Sequence, residues 1–334
     1  MSKLLNRIAR LRTRKTDLQS RAVIFKEAAL TNALPTASAQ DAMMYLVESS
    51  LPVDAKYTKK TYDEAARVEA HIKAGLDAAG HQITFEHQGS VTNDTHIRFY
   101  SDIDVLAATE RYIGLQLPLT PTSPYLGNPI DDLKQIRTTC TTSLRSGFPA
   151  ATVDTTKPRC VSISGGSLER KIDVVPCNWL DTTNYRNTRS AVDRGIEVLN
   201  VTTSRREENF PFLHNARISA KDARLGGNLR RAIRLAKSIR SDADAPIDIS
   251  SYDICGLCYA MPDTFLSPIS APIITLLSHF IDYSIYVLKE DAYRNGLKVP
   301  NETRLLFGAN GMSTSELLKL STEALEAYNA ALGK

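Results

Sequence analysis

The stretch Gln88-Gly-Ser-Val-Thr-Asn-Asp-Thr-His-Ile-Arg-Phe-Tyr-Ser-Asp-Ile-Asp-Val105 decides how the rest of the chain is read. It follows an alternating segment, Ile83-Thr-Phe85-Glu86, and runs into an apolar one, Asp102 to Ala107, so the reading is strand, polar loop, strand. Residues two apart on a strand project from one face, which sets Asp102 and Asp104 side by side. Two unit charges about 5 Å apart at an effective dielectric near 20 repel by roughly 3 kcal/mol. Such a pair needs a cation beside it, or one member must hold a proton. Asp242-Ala-Asp244 has the same form, but it lies in a polar connector after a basic helix and reads as solubilising surface.

A third acid, Asp173, is centred in Lys171-Ile-Asp-Val-Val-Pro176, where Ile172 and Val174 should face the other way into a core. Three strand carboxylates with no Cys or His in the same segments form an all-oxygen donor set, which suits a hard divalent ion such as Mg2+. Gly89-Ser90 falls where the first strand ends. With a short helix after it, the glycine allows close backbone approach, and the serine hydroxyl and free amides grip phosphate oxygens. As a plain turn, the pair has no ligand. No Gly-x-x-x-x-Gly-Lys-Ser/Thr occurs, so phosphate binding of the P-loop kind is excluded.

The surrounding chain sets bounds. Its 334 residues, 43% hydrophobic and 23% charged, amount to about two average domains and exclude a disordered chain, a collagen or a small disulfide scaffold. With 41 Lys+Arg against 37 Asp+Glu there is no global basic field, so any nucleotide contact is local. Five cysteines, an odd number, and the lack of an apolar leader point to a reducing cytoplasm. Cys255-x-x-Cys258 lacks a second pair and reads as core helix. The most apolar run, Ser270 to Leu288, is broken by Pro272, His279 and Asp282 and reads as a buried helix, so membrane insertion is not expected. The basic run Lys3, Arg7, Arg10, Arg12, Arg14 and Lys15 reads as a solvated helix face.

Residues 1 to 53 read as an N-terminal helical segment, 54 to 188 as a helix-plus-sheet core, and 189 to 334 as a helical lobe. Within the core, a helix from Lys56 to Gly80 precedes the first strand, Pro118 to Pro129 is a proline-rich loop, and Cys160 to Ser164 with Lys171 to Val175 forms a hairpin. The pattern is read as helical from about Ser190 onward, with Leu229, Ala232, Ile233, Ala236 and Ile239 on one stripe. The last helix opens on the capping box Ser313-x-x-Glu316, and Tyr328 on it reads as packing.

Gly89-Ser90, Asp102-x-Asp104 and a distant Asp173 together resemble the nucleotidyltransferase core of the DNA polymerase beta superfamily, and within it the cGAS/DncV-like group. The 88–105 stretch resembles that group's first catalytic motif and Ile172-Asp-Val-Val-Pro176 its second. Ile233-Arg-Leu-Ala-Lys237, followed by Asp248-Ile-Ser-Ser-Tyr252, is similar to its triphosphate-holding segment, which would make Lys237 and Ser251 the phosphate ligands. Arg230, Arg234 and Lys237 recur at helical spacing, as either a phosphate-facing or a solvated basic face. Where the group often has an aromatic residue after Gly-Ser, this chain has Val91.

The resemblance implies an α+β fold: a mixed sheet with helices packed on a C-terminal helical lobe, with the active site in the cleft between them. It implies template-independent transfer of nucleotides from NTPs or dNTPs into a cyclic or linear oligonucleotide signal, with release of pyrophosphate. Asp102, Asp104 and Asp173 would hold two Mg2+ ions, with Mn2+ as a substitute, and Gln88, Gly89 and Ser90 would join Lys237 and Ser251 at the nucleotide. Neither His87 nor His96 is expected to be catalytic. The product would serve bacterial antiphage defence and be read by a separate effector, which can be membrane-bound. Modification of tRNA or of a protein hydroxyl, including self-modification, and a non-catalytic nucleotide sensor are the competing readings.

Overall fold

The computed structural model describes residues 3–14, 37–98, 101–267 and 271–334. In chain order the helices are α1 (Lys3–Arg14), α2 (Ala37–Ser50), α3 (Ala55–Ala78), α4 (Pro129–Gly147), α5 (Thr183–Thr188), α6 (Pro211–Arg224), α7 (Asn228–Asp242), α8 (Ser251–Ala260), α9 (Asp263–Leu266), α10 (Ile273–Lys289), α11 (Asp291–Gly296) and α12 (Thr314–Ala331). The strands are β1 (Ile83–Gln88), β2 (Ile103–Leu115), β3 (Thr152–Asp154), β4 (Val161–Gly165), β5 (Leu168–Asp181), β6 (Gly195–Asn200) and β7 (Arg205–Asn209). The chain divides into two compact units, each discontinuous in sequence: Ala55–Asn93 with Tyr100–Ala216, and Met1–Asp54 with Asp94–Phe99 and Arg217–Lys334. Three consecutive segments were expected instead.

The first unit is a seven-stranded mixed sheet in the order β1-β2-β5-β4-β3, with β6 beside β5 and β7 beside β6. Among the described strands only β2 and β5 run parallel. The 14 residues of β5 let one strand edge carry β4 along its first half and β6 along its second. β6 and β7 correct the expectation of helix from Ser190 onward. Ile196 and Val198 are buried while Glu197 between them is only half-buried, a strand signal, but the polar Arg205-Arg-Glu-Glu-Asn209 edge carries none. One face of the sheet, through Ile103, Val105, Ile163, Ile172 and Val174, packs on Val68, Ile72 and Leu76 of α3 and Leu133, Ile136 and Leu144 of α4. α3 matches its sequence pattern and stops before Gly80 in the left-handed region (φ 76°). α4 is opened by Asn128, whose side chain accepts from the Ile130 and Asp131 amides, with Pro129 as its first residue.

A buried ion pair ties α3 to β5. The β4–β5 register slips between Ile163/Ile172 and Gly165/Leu168, where β5 spends two more residues than β4. Glu64 Oε2 accepts the Glu169 and Arg170 amides of that slipped stretch, at 3.1 and 2.9 Å, and Arg170 Nη1 lies 3.5 Å from Glu64 Oε1. The Arg170 guanidinium, 1% exposed, also donates to Thr61 Oγ1.

In the second unit, α1, α2, α7, α8, α10 and α12 supply one apolar core. α1 is not a solvated basic face as expected. Lys3 and Arg7 pair with Glu323 of α12, Arg10 donates to the carbonyls of Asp242 and Ala243, and Arg14 pairs with buried Asp242. So Asp242 is not solubilising surface either. Lys15 lies outside the described residues, as do all the residues between α1 and α2. Cys255 and Cys258 are buried free thiols on α8, Tyr328 packs on the core, and Ser313 Oγ accepts the Glu316 amide. Among the described residues no helix is long and apolar enough to cross a membrane.

The Arg170 tie has a measurable weight. Arg170→Ala leaves the Glu64 carboxylate buried without its counter-charge, and should cost about 3–5 kcal/mol in urea unfolding. Lys60→Ala, which removes only the exposed partner of Glu169, should cost under about 1 kcal/mol.

Candidate active site

A polar row crosses four adjacent strands of the sheet. Gln88 on β1 is the register partner of Asp104 on β2, Asp104 of Asp173 on β5, and Asp173 of Ser162 on β4. The flanking Ile103, Val105, Ile172 and Val174 are fully buried on the opposite face, so strand alternation sends the row to the side away from α3 and α4. Gln88 Nε2 donates to Asp104 Oδ2 at 3.2 Å, and Ser162 Oγ donates to Asp173 Oδ1. Asp102 stands one residue ahead of β2 rather than within it, exposed, with its carboxylate on the Lys171 ammonium. The same ammonium lies 3.2 Å from Asp173 Oδ2, and Lys157 donates to that oxygen at 3.0 Å.

These neighbours set the acids apart electrically. Burial, then the charge of Asp173, push Asp104 up to about 6, against the opposing pull of the Gln88 hydrogen bond and the Lys171 charge. Burial would raise Asp173 too, but the Ser162 and Lys157 hydrogen bonds and the Lys171 charge hold it below the usual aspartate range. Among the described residues no group of three or more His, Cys, Asp or Glu side chains is drawn together tightly enough to hold a metal. The donor chemistry nonetheless fits a hard cation: Asp104 and Asp173 are direct strand neighbours, and Asp102 reaches the Asp173 end through a shared ammonium.

A cavity of about 320 Å3 opens on the row. Gln88, Asp104 and Asp173 line one side, Cys160, Val175 and Val198 add apolar surface, and Arg159, Glu207, Glu208 and Asn209 complete the wall. Asn209 Nδ2 donates to Gln88 Oε1 at 3.1 Å, holding the glutamine toward Asp104. The volume is at the lower end of that of small-molecule sites.

Gly89 carries φ 98°, a conformation that favours glycine, and a Cβ there would stand 3.5 Å from Asp104 Oδ2. The helix expected after Ser90 is absent: residues 90–94 form a turn in which Thr92 Oγ1 donates to the Gly89 carbonyl. The segment has neither the length nor the cap for a helix, so the phosphate grip of a helix start is not available there. His87 points to the other side, its Nε2 2.6 Å from Glu69 on α3.

Lys237 and Ser251 belong to the helical unit. Lys237 is 2% exposed and its Nζ donates to the Thr95 carbonyl at 2.7 Å, while Ser251 Oγ accepts from Arg240. Arg230 pairs with Asp222, and Arg234 donates to the Ser50 and Asp94 carbonyls. α7 is therefore buried on nearly all sides, and its basic residues tie backbone together instead of presenting a face for phosphate. Sequence reasoning missed Lys171, Lys157, Ser162 and Asn209. Only Lys171 carries a signal, its place two residues before Asp173.

Residues 216–329 match the family model of the cGAS/DncV-like nucleotidyltransferase C-terminal helical domain. Over 287 residues the chain is 33% identical to the cyclic dinucleotide synthase CdnE of Yersinia aleksiciae, covering 84% of this chain and 74% of that protein. Over 247 residues it is 30% identical to a c-di-GMP synthase of a Lachnospiraceae bacterium, covering 66% of this chain and 70% of that one. The fold matches the solved STING-associated CdnE c-di-GMP synthase of Flavobacteriaceae sp. with a TM-score of 0.81 at 24% identity, over 99% of this chain and 98% of that one.

The raised Asp104 gives a sign-defined test. The folded state holds a proton that the unfolded chain releases between the ordinary aspartate range and about pH 6, so this group's contribution to stability falls as pH rises through that window. In chelator, Asp104→Asn should match wild type in urea unfolding near pH 4 and exceed it by about 1–2 kcal/mol at pH 7.5.

Proposed function

Because the chain belongs to the cGAS/DncV-like nucleotidyltransferases, we propose that it makes a cyclic dinucleotide, with GTP as a substrate, on the carboxylate row of its sheet. The chain is a template-independent nucleotidyltransferase that joins nucleotides from nucleoside triphosphates into an oligonucleotide signal, releases pyrophosphate and uses a divalent metal. The relative named for c-di-GMP favours guanine as the base. The observation that carries the site assignment is the register pairing of Asp104 with Asp173 beside the cavity.

In this reading Asp102, Asp104 and Asp173 would hold Mg2+. When bound there, the metal lowers the pKa of the attacking hydroxyl and offsets charge on the triphosphate. The chain's own groups do the positioning. Ser162 fixes the orientation of Asp173, Gln88 steadies Asp104 and is itself held by Asn209, and the Gly89 backbone leaves room beside Asp104 for a phosphate. Asp104 must be ionised to serve as a ligand, so a cation arriving there would compete with the proton that burial favours on it. A separate effector reads the product in antiphage defence, as the STING-associated name suggests for the Flavobacteriaceae enzyme.

Incubation with the four ribonucleotides and Mg2+, followed by chromatography, should give a phosphatase-resistant product that contains guanosine. A product wholly sensitive to phosphatase would overturn the cyclic reading. Asp102→Ala combined with Asp104→Ala should lower pyrophosphate release by about a thousandfold or more; release at the wild-type rate would overturn the site.

A further inference from the structure

Two ammonium groups stand inside the carboxylate row with no part in the chemistry just described. Lys171 projects from β5 on the same face as Asp173, and its Nζ lies between Asp102 Oδ2 and Asp173 Oδ2. Lys157, on the segment between β3 and β4, donates to the same Asp173 oxygen, while Ser162 occupies the other. Both Asp173 oxygens and one of Asp102 therefore already have donors. Asp104 alone faces the cavity with only an amide, Gln88, on it.

A divalent ion needs the lone pairs that the ammoniums now use, and a cation so close to an ammonium is repelled. Formal charge shows when the exchange is favourable. Three carboxylates against two ammoniums leave the row slightly negative. Two divalent ions arriving alone would make it strongly positive, with both lysines displaced and unpartnered. Arriving with a triphosphate, they bring their own counter-charge, and the phosphate oxygens give the displaced ammoniums new acceptors.

We propose that Lys171, with Lys157 behind it, is a counter-cation latch that keeps divalent metal off Asp102 and Asp173 until a nucleoside triphosphate arrives, so that metal and nucleotide enter together. Lys171 is a positioning residue in this scheme: it holds the acids apart from metal in the empty site and moves to phosphate in the filled one. The proposal rests on the assignment of Asp102, Asp104 and Asp173 as the metal-holding acids, and its test separates the two.

The experiment titrates Mn2+ into the full chain and reads free metal by electron paramagnetic resonance, first without nucleotide and then with a non-hydrolysable GTP analogue. Lys171→Met should tighten Mn2+ binding in the absence of nucleotide by about tenfold, because the competing charge is gone. The same change should weaken analogue binding in Mn2+ several-fold, and Lys171→Arg should restore both toward wild type. Lys171→Gln and Lys157→Met provide independent variants, with circular dichroism to confirm that each is folded. Unchanged or weaker Mn2+ binding by the folded Met and Gln variants overturns the latch. Asp173→Asn is the control for the underlying assignment: if it binds Mn2+ with analogue as tightly as wild type does, the metal site itself is wrong. If Asp173→Asn loses the metal while the Lys171 variants change nothing, the latch alone fails.

Discussion

The parallel pairing of β2 with β5 is the constraint on which the site depends. Among the described strands every other contact between neighbours is antiparallel, and this one brings two distant acidic segments into direct register, Asp104 opposite Asp173. A slip of one residue would send one of the two acids into the apolar face now filled by Ile103, Val105, Ile172 and Val174. Because that face is packed against α3 and α4, the register is fixed by burial, and the carboxylates inherit their proximity from it. The Glu64–Arg170 tie acts on the same strand three residues before Asp173, gathering the amides that the β4–β5 slip leaves free of the ladder.

The cost of that proximity is electrostatic, and the chain offsets it unevenly. Asp173 is surrounded by a hydroxyl and two ammoniums, and Asp102 by one of the same ammoniums. Asp104, beside Asp173 in register, gets a single amide, and burial together with the Asp173 charge makes it hold its proton more tightly. The uneven arrangement leaves Asp104 raised and Asp173 lowered, two neighbouring acids pushed in opposite directions by their surroundings.

What the sequence conveys about this site follows from which signals are local. The alternation that pairs Asp102 with Asp104 in the sequence holds for Asp104 alone, since β2 begins at Ile103, and Asp173 stands out because an acid is rare between Ile172 and Val174. Ser162 could not be found that way. A regular hairpin counted back from the Gly165–Leu168 pairing would set Asp173 opposite Cys160, and only the two-residue slip brings Ser162 there. Lys157 comes from an irregular segment with no periodicity to read. On the larger scale, α3 and the capping of α12 were legible from spacing and end signals. α4 was obscured by its β-favouring Thr138-Thr-Cys-Thr-Thr142, and β7 by the lack of any apolar residue. Lys237 misled because helical periodicity assigns a basic stripe to solvent, whereas α7 is enclosed and its cations are used on the carbonyls of Thr95, Ser50 and Asp94.

The described residues of the helical unit come from α1 and α2 at one end of the sequence and from the stretch after Arg217 at the other. During synthesis, α1 and α2 leave the ribosome long before their partners α7 and α12 exist, and the whole sheet must be made in the interval. The sheet can thus close first on the nascent chain, while an amphipathic N-terminal helix waits with its apolar side uncovered. The apolar residues of α1 and α2 therefore meet their partners on α7 and α12 only after the strands between them have been made.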